Sequence, residues 1–109
     1  MKLTVTATST TSGVATIEDL TNNQTVSKSL TSTSPLCQQN AEWIIEDYST
    51  ISGEDVPFAD FGTVTFTDAE ATGTRIYTPS GATINNIEQN GQVLTSVSIS
   101  GSSVTIKYV

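Results

Sequence analysis

Histidine is absent from this 109-residue sequence, cysteine occurs once and proline three times. Each shortage removes a class of chemistry. Without His there is no Ser–His or Cys–His nucleophilic pair and no imidazole metal site within the chain. The single thiol, Cys37, cannot close an internal disulfide, so it is either a buried thiol or half of a bridge to another chain. No apolar run reaches the roughly 18 residues that a membrane helix needs. The start, Met1-Lys2-Leu3-Thr4, lacks the apolar core of a signal peptide and leads directly into a strand pattern. That beginning is expected of the later portion of a longer protein.

Positive charge is scarce too. Four Lys and Arg stand against eleven Asp and Glu, for a formal net charge of -7 and a pI near 4.1. Such a balance repels nucleic acid and anionic membranes, and neither is an expected partner. Plain solubility accounts for it, as does work in acidic surroundings, where self-repulsion falls. Hydrophobic residues make up only 36%. They recur regularly among Thr and Ser, however, as in secreted or cell-surface β-proteins and unlike disordered chains. The length suits one domain with a single core between two layers.

What is present is alternation with period two. Leu3, Val5 and Ala7 alternate with Thr4, Thr6 and Thr8, and Val14–Leu20 and Gln24–Leu30 read as two further strands. Ser9–Gly13 and Thr21-Asn22-Asn23 are the turns between them, Asn tolerating the positive φ of a tight hairpin. Beyond the Thr31–Pro35 loop, strands are expected at Ala41–Tyr48, at Asp60–Thr67 and, more briefly, at Arg75–Tyr77. Thr83–Gln89 and Gln92–Ser98 flank Asn90-Gly91, the strongest hairpin signal in the chain. A turn at Gly101-Ser102 precedes a last strand, Val104–Tyr108. No helical period appears. About eight short strands at close spacing predict an all-β, antiparallel sandwich or barrel.

Ala41–Tyr48 holds the residues best suited to chemistry. On a strand, Glu42, Ile44 and Glu46 share one face and Trp43, Ile45 and Asp47 the other. Trp43 and Ile45 mark the core side, which turns Glu42 and Glu46 outward or into a cleft. At about 3.3 Å per residue the two glutamates lie ~13 Å apart. That is beyond the roughly 5–9.5 Å of a glycosidase pair and beyond the shared proton of an aspartic-protease dyad. Residue types alone leave two readings: a solvated strand face, or one catalytic carboxylate whose partner lies elsewhere. Asp60 reads as a turn hydrogen-bonder, and Tyr48 and Tyr77 as edge aromatics or cleft lining. Glu54, Asp55, Asp68 and Glu70 lack the spacing of a Ca²⁺ loop, so no metal or other cofactor is expected. Asn23-Gln24-Thr25 is an N-glycosylation acceptor sequence in a turn.

Four stretches carry a family likeness: Cys37-Gln-Gln-Asn-Ala-Glu-Trp-Ile-Ile-Glu-Asp47, Phe58-Ala-Asp-Phe-Gly-Thr-Val-Thr-Phe-Thr67, Asn85-Asn-Ile-Glu-Gln-Asn-Gly91 with the tail Val104–Val109, and Thr6-Ala-Thr-Ser-Thr-Thr-Ser-Gly13. They resemble the glutamic peptidases of the eqolisin family, fungal acid endopeptidases, over essentially the whole chain. The resemblance implies an antiparallel β-sandwich, with residues 1–109 forming the C-terminal portion of a two-sheet, concanavalin-like domain. It also implies secretion, insensitivity to pepstatin, a protein or peptide substrate and a catalytic Glu–Gln pair. Judged from the matching Cys and the C-terminus, the resemblance puts the Glu at Glu46, with Glu42 as second choice. There it would act as general base toward water and then as general acid toward the leaving amine. The Gln would orient the water and stabilise the oxyanion.

The family's Gln lies in the preceding half, in a Trp/Gly/Ile-rich motif that has no match here. Gln24, Gln38, Gln39, Gln89 and Gln92 all fall in contexts that match other parts of the family. Cys37 likewise resembles a Cys that bridges to the absent half. The resemblance thus implies a C-terminal half that is inactive alone. Its expected partner is the first-half chain or, in its absence, a second copy through self-association. The competing expectation is a non-catalytic β-sandwich module that binds carbohydrate or protein through its polar strand faces.

Overall fold

The computed structural model describes residues 1–109. All regular structure is antiparallel β, with no helix, and the chain falls into two compact units, Met1–Asn40 and Ala41–Val109.

The first unit is a meander of β1 (Lys2–Ala7), β2 (Ser12–Asp19) and β3 (Gln24–Thr31) in the order β1-β2-β3. Its register sets Leu3 against Ile17 and Ile17 against Val26, Val5 against Ala15, and Gly13 against Leu30. Paired residues share a face, so one side of this sheet is apolar but for Lys28 and the Asp19–Gln24 pair at the hairpin end. The other side carries Thr4, Thr16 and Ser27 in one row, with Thr16 Oγ1 and Ser27 Oγ hydrogen-bonded at 2.8 Å. Asp19 Oδ1 accepts from Thr21 N at 2.9 Å and Asn22 Oδ1 from Gln24 N at 3.1 Å, while Asn23 takes φ 57°. These side-chain turns close the β2–β3 hairpin as expected. The chain beyond β3 is tied back to the β1–β2 loop by Ser32 N and Leu36 N donating to Thr11 O and Thr10 O, and by Gln38 Nε2 donating to Ser9 O. Cys37 is a free, exposed thiol.

The second unit is organised around its last strand. β4 (Thr63–Phe66), β9 (Thr95–Ser100) and β10 (Ser103–Tyr108) form a sheet in the order β4-β10-β9. The rows Phe66–Val104–Ile99 and Val64–Ile106–Val97 give it an apolar face. Val104 and Ile106 are buried, together with Ala69, Thr95 and Pro79. Two hairpins complete the unit: β5 (Ala71–Thr72) with β6 (Ile76–Tyr77), and β7 (Glu88–Gln89) with β8 (Gln92–Val93). Asn90 and Gly91 have φ of 53° and 74°, the two positive values that a type I′ turn demands.

Four strand expectations change, the simplest being Gln92–Ser98, which breaks at Leu94 into β8 and β9. Asp60–Thr67 becomes a strand only from Thr63, because Gly62 turns with φ 71° and donates its N–H to Asp60 Oδ1 at 3.0 Å. Asp60 therefore holds a turn, as its position suggested. Thr83–Gln89 contracts to Glu88–Gln89. Most consequential, Ala41–Tyr48 is not a strand. Its exposure still alternates, with Trp43, Ile45 and Asp47 half-buried and Glu42, Ile44 and Glu46 exposed. Trp43 and Ile45 thus face inward without reaching a core. Alternation fixes only the direction of side chains; a strand also needs a neighbour to pair its N–H and C=O groups. No backbone–backbone hydrogen bond involves residues 38–47.

Apolar surface is left uncovered. Val5 is 83% exposed, Val26 70% and Leu3 61%, all on the apolar side of the first sheet. The chain exposes 8495 Å². A folded monomer of this mass exposes ~5,800 Å², and two separately folded units of these sizes ~7,000 Å².

Gly13 has no room for a side chain, since a Cβ would lie 2.8 Å from Thr6 O across the ladder. Gly13→Ala is expected to cost about 1–3 kcal/mol, seen as a lower urea midpoint with faster amide exchange along β1. Cys37 in the folded chain is expected to react with a thiol reagent at nearly its denatured-state rate.

Candidate active site

Within the second unit, a shallow open groove of about 270 Å³ is lined by two stretches, Ile45–Tyr48 and Val56–Ala59, together with Phe61. The tight loop between the stretches holds them together. Ser49 and Asp55 form an isolated bridge, Thr50 N donates to Glu54 O at 2.9 Å, and Val56 N donates to Tyr48 O at 3.3 Å. Gly53, with φ 80°, makes the reversal.

Three rings support one side of this groove. Phe58 and Phe61 meet edge to face at 5.7 Å, Phe58 stacks on Tyr108 at 6.2 Å, and Phe61 meets Tyr108 edge-on at 6.3 Å. Tyr108 N donates to Gly62 O at 2.9 Å, which fixes the ring-bearing end of β10 beside Phe61. Such pairs add about 0.5–1.5 kcal/mol each beyond the area they bury.

Glu46 and Asp47 are the acidic residues among those that line the groove, and no Lys or Arg is among them. Their surroundings differ. Asp47 is half-buried and bonded through both oxygens to Gln89 Nε2, at 3.0 and 3.1 Å. Gln89 Nε2 also donates to Val56 O at 3.1 Å, and Gln89 Oε1 accepts from Phe58 N at 3.3 Å. Glu46 is exposed and has neither a hydrogen bond nor an ion pair; the one ion pair of the chain is Lys2–Glu18. Glu46 is therefore the carboxylate whose lone pairs are open to a bound water or substrate. Beyond the Tyr48 hydroxyl no side-chain hydrogen-bond donor lines the groove, since the Gln89 amide is committed to Asp47 and Val56. The groove offers a proton acceptor and an apolar wall, without a side-chain amide aimed at an oxyanion.

Of the residues singled out in the sequence, Glu46 and Tyr48 meet at the groove, whereas Glu42, Asp60 and Tyr77 do not line it. The residues that the sequence did not mark are Asp47, Gln89 and the ring trio. Asp47 and Gln89 are 42 positions apart, and no local pattern joins them. The only available signal was indirect: Asn90-Gly91 pins Gln89 at the end of a hairpin.

The Peptidase A4 family model matches residues 1–108, and the chain belongs to that family, the eqolisin glutamic peptidases. Aspergillopepsin-2 of Aspergillus niger is 53% identical over 113 residues, a match that takes in 100% of this chain and 39% of that protein. The crystal structure of aspergilloglutamic peptidase from Aspergillus niger superposes with a TM-score of 0.90 at 51% identity, over 99% of this chain and 65% of that one. SCP-B, an eqolisin peptidase solved in complex with the tripeptide Ala-Ile-His, superposes with a TM-score of 0.86 at 43% identity, over 98% of this chain and 58% of that one. The chain thus has the strand arrangement of the eqolisin β-sandwich and spans about two fifths of the length of the curated relative.

Phe61→Ala removes two of the three ring pairs and is expected to cost about 2–4 kcal/mol. The measurements are urea unfolding and the loss of near-ultraviolet circular dichroism from Tyr108.

Proposed function

We propose that the chain is the Glu-bearing, C-terminal portion of a secreted acid endopeptidase, with Glu46 as its catalytic carboxylate. The observation that carries this reading is the contrast at the groove: of two adjacent carboxylates, Asp47 is fully engaged and Glu46 is free. Glu46 would take a proton from a water as that water attacks the peptide carbonyl, then return it to the departing amine. The oxyanion formed between these steps would be stabilised by an N–H donor. None is free among the groove's side chains, which supports a Gln supplied by polypeptide outside these 109 residues. The peptide would lie along the groove, against Phe58 and Phe61.

The partner requirement has physical support of its own. The apolar side of β1-β2-β3 stands exposed at Leu3, Val5, Ile17, Val26 and Leu30. The backbone of residues 38–47 is unpaired by main chain. Surface in excess of a folded chain by on the order of 1,500–2,700 Å² falls in the range of stable interfaces. A complementary β-portion would cover the apolar face and pair the open backbone, turning Ala41–Asp47 into the strand that its alternation encodes.

The test is a chimera in which this chain replaces the matched region of aspergillopepsin-2. The chimera is expected to digest protein at acid pH, and the lone chain to show no cleavage. Removal of one oxyanion donor costs about 10²–10³ in rate, and half of the cleft is missing as well. Glu46→Gln is expected to silence the chimera without altering its circular dichroism. A fully active Glu46→Gln chimera, or vigorous cleavage by the lone chain, overturns the assignment. The lone chain is also expected to bind a hydrophobic dye such as ANS and to exchange its Ala41–Asp47 amides quickly, both effects being suppressed in the chimera. A lone chain that buries the same face by dimerising will show the dye effect as concentration-dependent.

A further inference from the structure

Gln89 is not part of the groove lining, yet its side-chain amide reaches both stretches that form it. Nε2 forks across the two oxygens of Asp47 at 3.0 and 3.1 Å and meets Val56 O at 3.1 Å, while Oε1 accepts Phe58 N at 3.3 Å. Both N–H bonds and the carbonyl are used, which leaves the amide no spare hydrogen-bonding capacity on its donor side. The orientation is fixed by chemistry: the flipped amide would set oxygen against the Asp47 carboxylate and the Val56 carbonyl, and N–H against N–H at Phe58. Gln89 is half-buried and mounted at the end of β7, where Gln92 pairs with it across the two-residue Asn90-Gly91 turn. Its base is stiff and its reach is set.

We propose that Gln89 is a positioning residue for Glu46. By holding Asp47 and the Val56–Phe58 backbone in one clamp, it fixes the spacing of the two sides of the groove at the peptide unit adjoining Glu46. This rests on the reading of Glu46 as the catalytic carboxylate. The side-chain requirement is narrow. Leu has similar bulk but strands three polar groups, Glu sets a carboxylate against Asp47, and Asn is one methylene too short to reach both stretches. The Ser49–Asp55 bridge and the Val56 N to Tyr48 O bond hold the two stretches at their loop end, but residues 38–47 have no backbone pairing of their own, so the side-chain clamp at Asp47 is what registers Glu46 against the opposite side. A general base must sit within hydrogen-bond reach of its water, and displacement by about 1 Å costs on the order of 10²-fold in rate.

Two measurements test this, one on the lone chain and one on the aspergillopepsin-2 chimera. In the lone chain, Gln89→Leu is expected to raise the exchange rate of the Phe58 amide at least about tenfold, while exchange along β10 stays unchanged. In the chimera, Gln89→Leu is expected to lower kcat by about 10–100-fold with KM within about threefold, because a shifted Glu46 impairs the chemical step more than peptide binding. Asp47→Asn keeps the size of the side chain and weakens the clamp from the other end; it is expected to lower kcat in the same direction, and the double variant to fall no further than Gln89→Leu alone. Should Gln89→Leu fail to fold, Asp47→Asn carries both measurements. Wild-type kcat in a folded Gln89→Leu or Asp47→Asn chimera, with Glu46→Gln inactive, overturns the positioning role and leaves Glu46 as assigned. Unchanged Phe58 exchange overturns the clamp itself. Full activity of the Glu46→Gln chimera removes the reading of Glu46 and the positioning role with it, an outcome told apart by that variant alone.

Discussion

The second unit depends on the pairing of β10 with a strand on each side. Val104 and Ile106 alternate inward along β10, and each meets an apolar partner in the same row on β4 and on β9. This central strand brings residues 63–66 beside residues 104–107. The pairing sets Phe61 and Gly62 against Tyr108, and the ring cluster follows from it. The groove is a consequence at one further remove, because Phe58 and Phe61 are both rings of that cluster and residues of its lining.

A second constraint acts through absence. Few side chains are fully buried, and the apolar face of β1-β2-β3 meets water. An unpaired stretch in residues 38–47 adds backbone groups without main-chain partners. Both features are ones that a covering face and a neighbouring edge would satisfy. Side-chain hydrogen bonds carry part of the load meanwhile: Gln38 ties its segment to Ser9 O, and Gln89 grips Asp47. A single bond of this kind contributes about 0.5–1.5 kcal/mol, less than a full ladder would.

The carboxylate pair at the groove shows how neighbours in sequence acquire different roles. Glu46 and Asp47 are adjacent and both acidic, but alternation sends them to opposite sides of an extended segment. The inward one is held by an amide and a hairpin; the outward one is left free. Family likeness singled out Glu46, with Glu42 as second choice. Sequence reasoning did not reach Gln89, since nothing near Asn90-Gly91 announces a partner 42 residues away.

Local chemistry was enough for the hairpins. Alternation placed β1, β2 and β3, Asn23 and Asn90-Gly91 supplied positive-φ turns, and Gly101 opened the final one. These features were legible because turn residues and period-two patterns act over a few bonds. Tertiary structure alone decided whether Ala41–Tyr48 paired. The sequence encodes which way each of its side chains points, and the structure keeps that alternation, but hydrogen bonding requires an edge that no local pattern can provide. The same holds for the clamp and the ring trio, each of which joins residues far apart in the sequence.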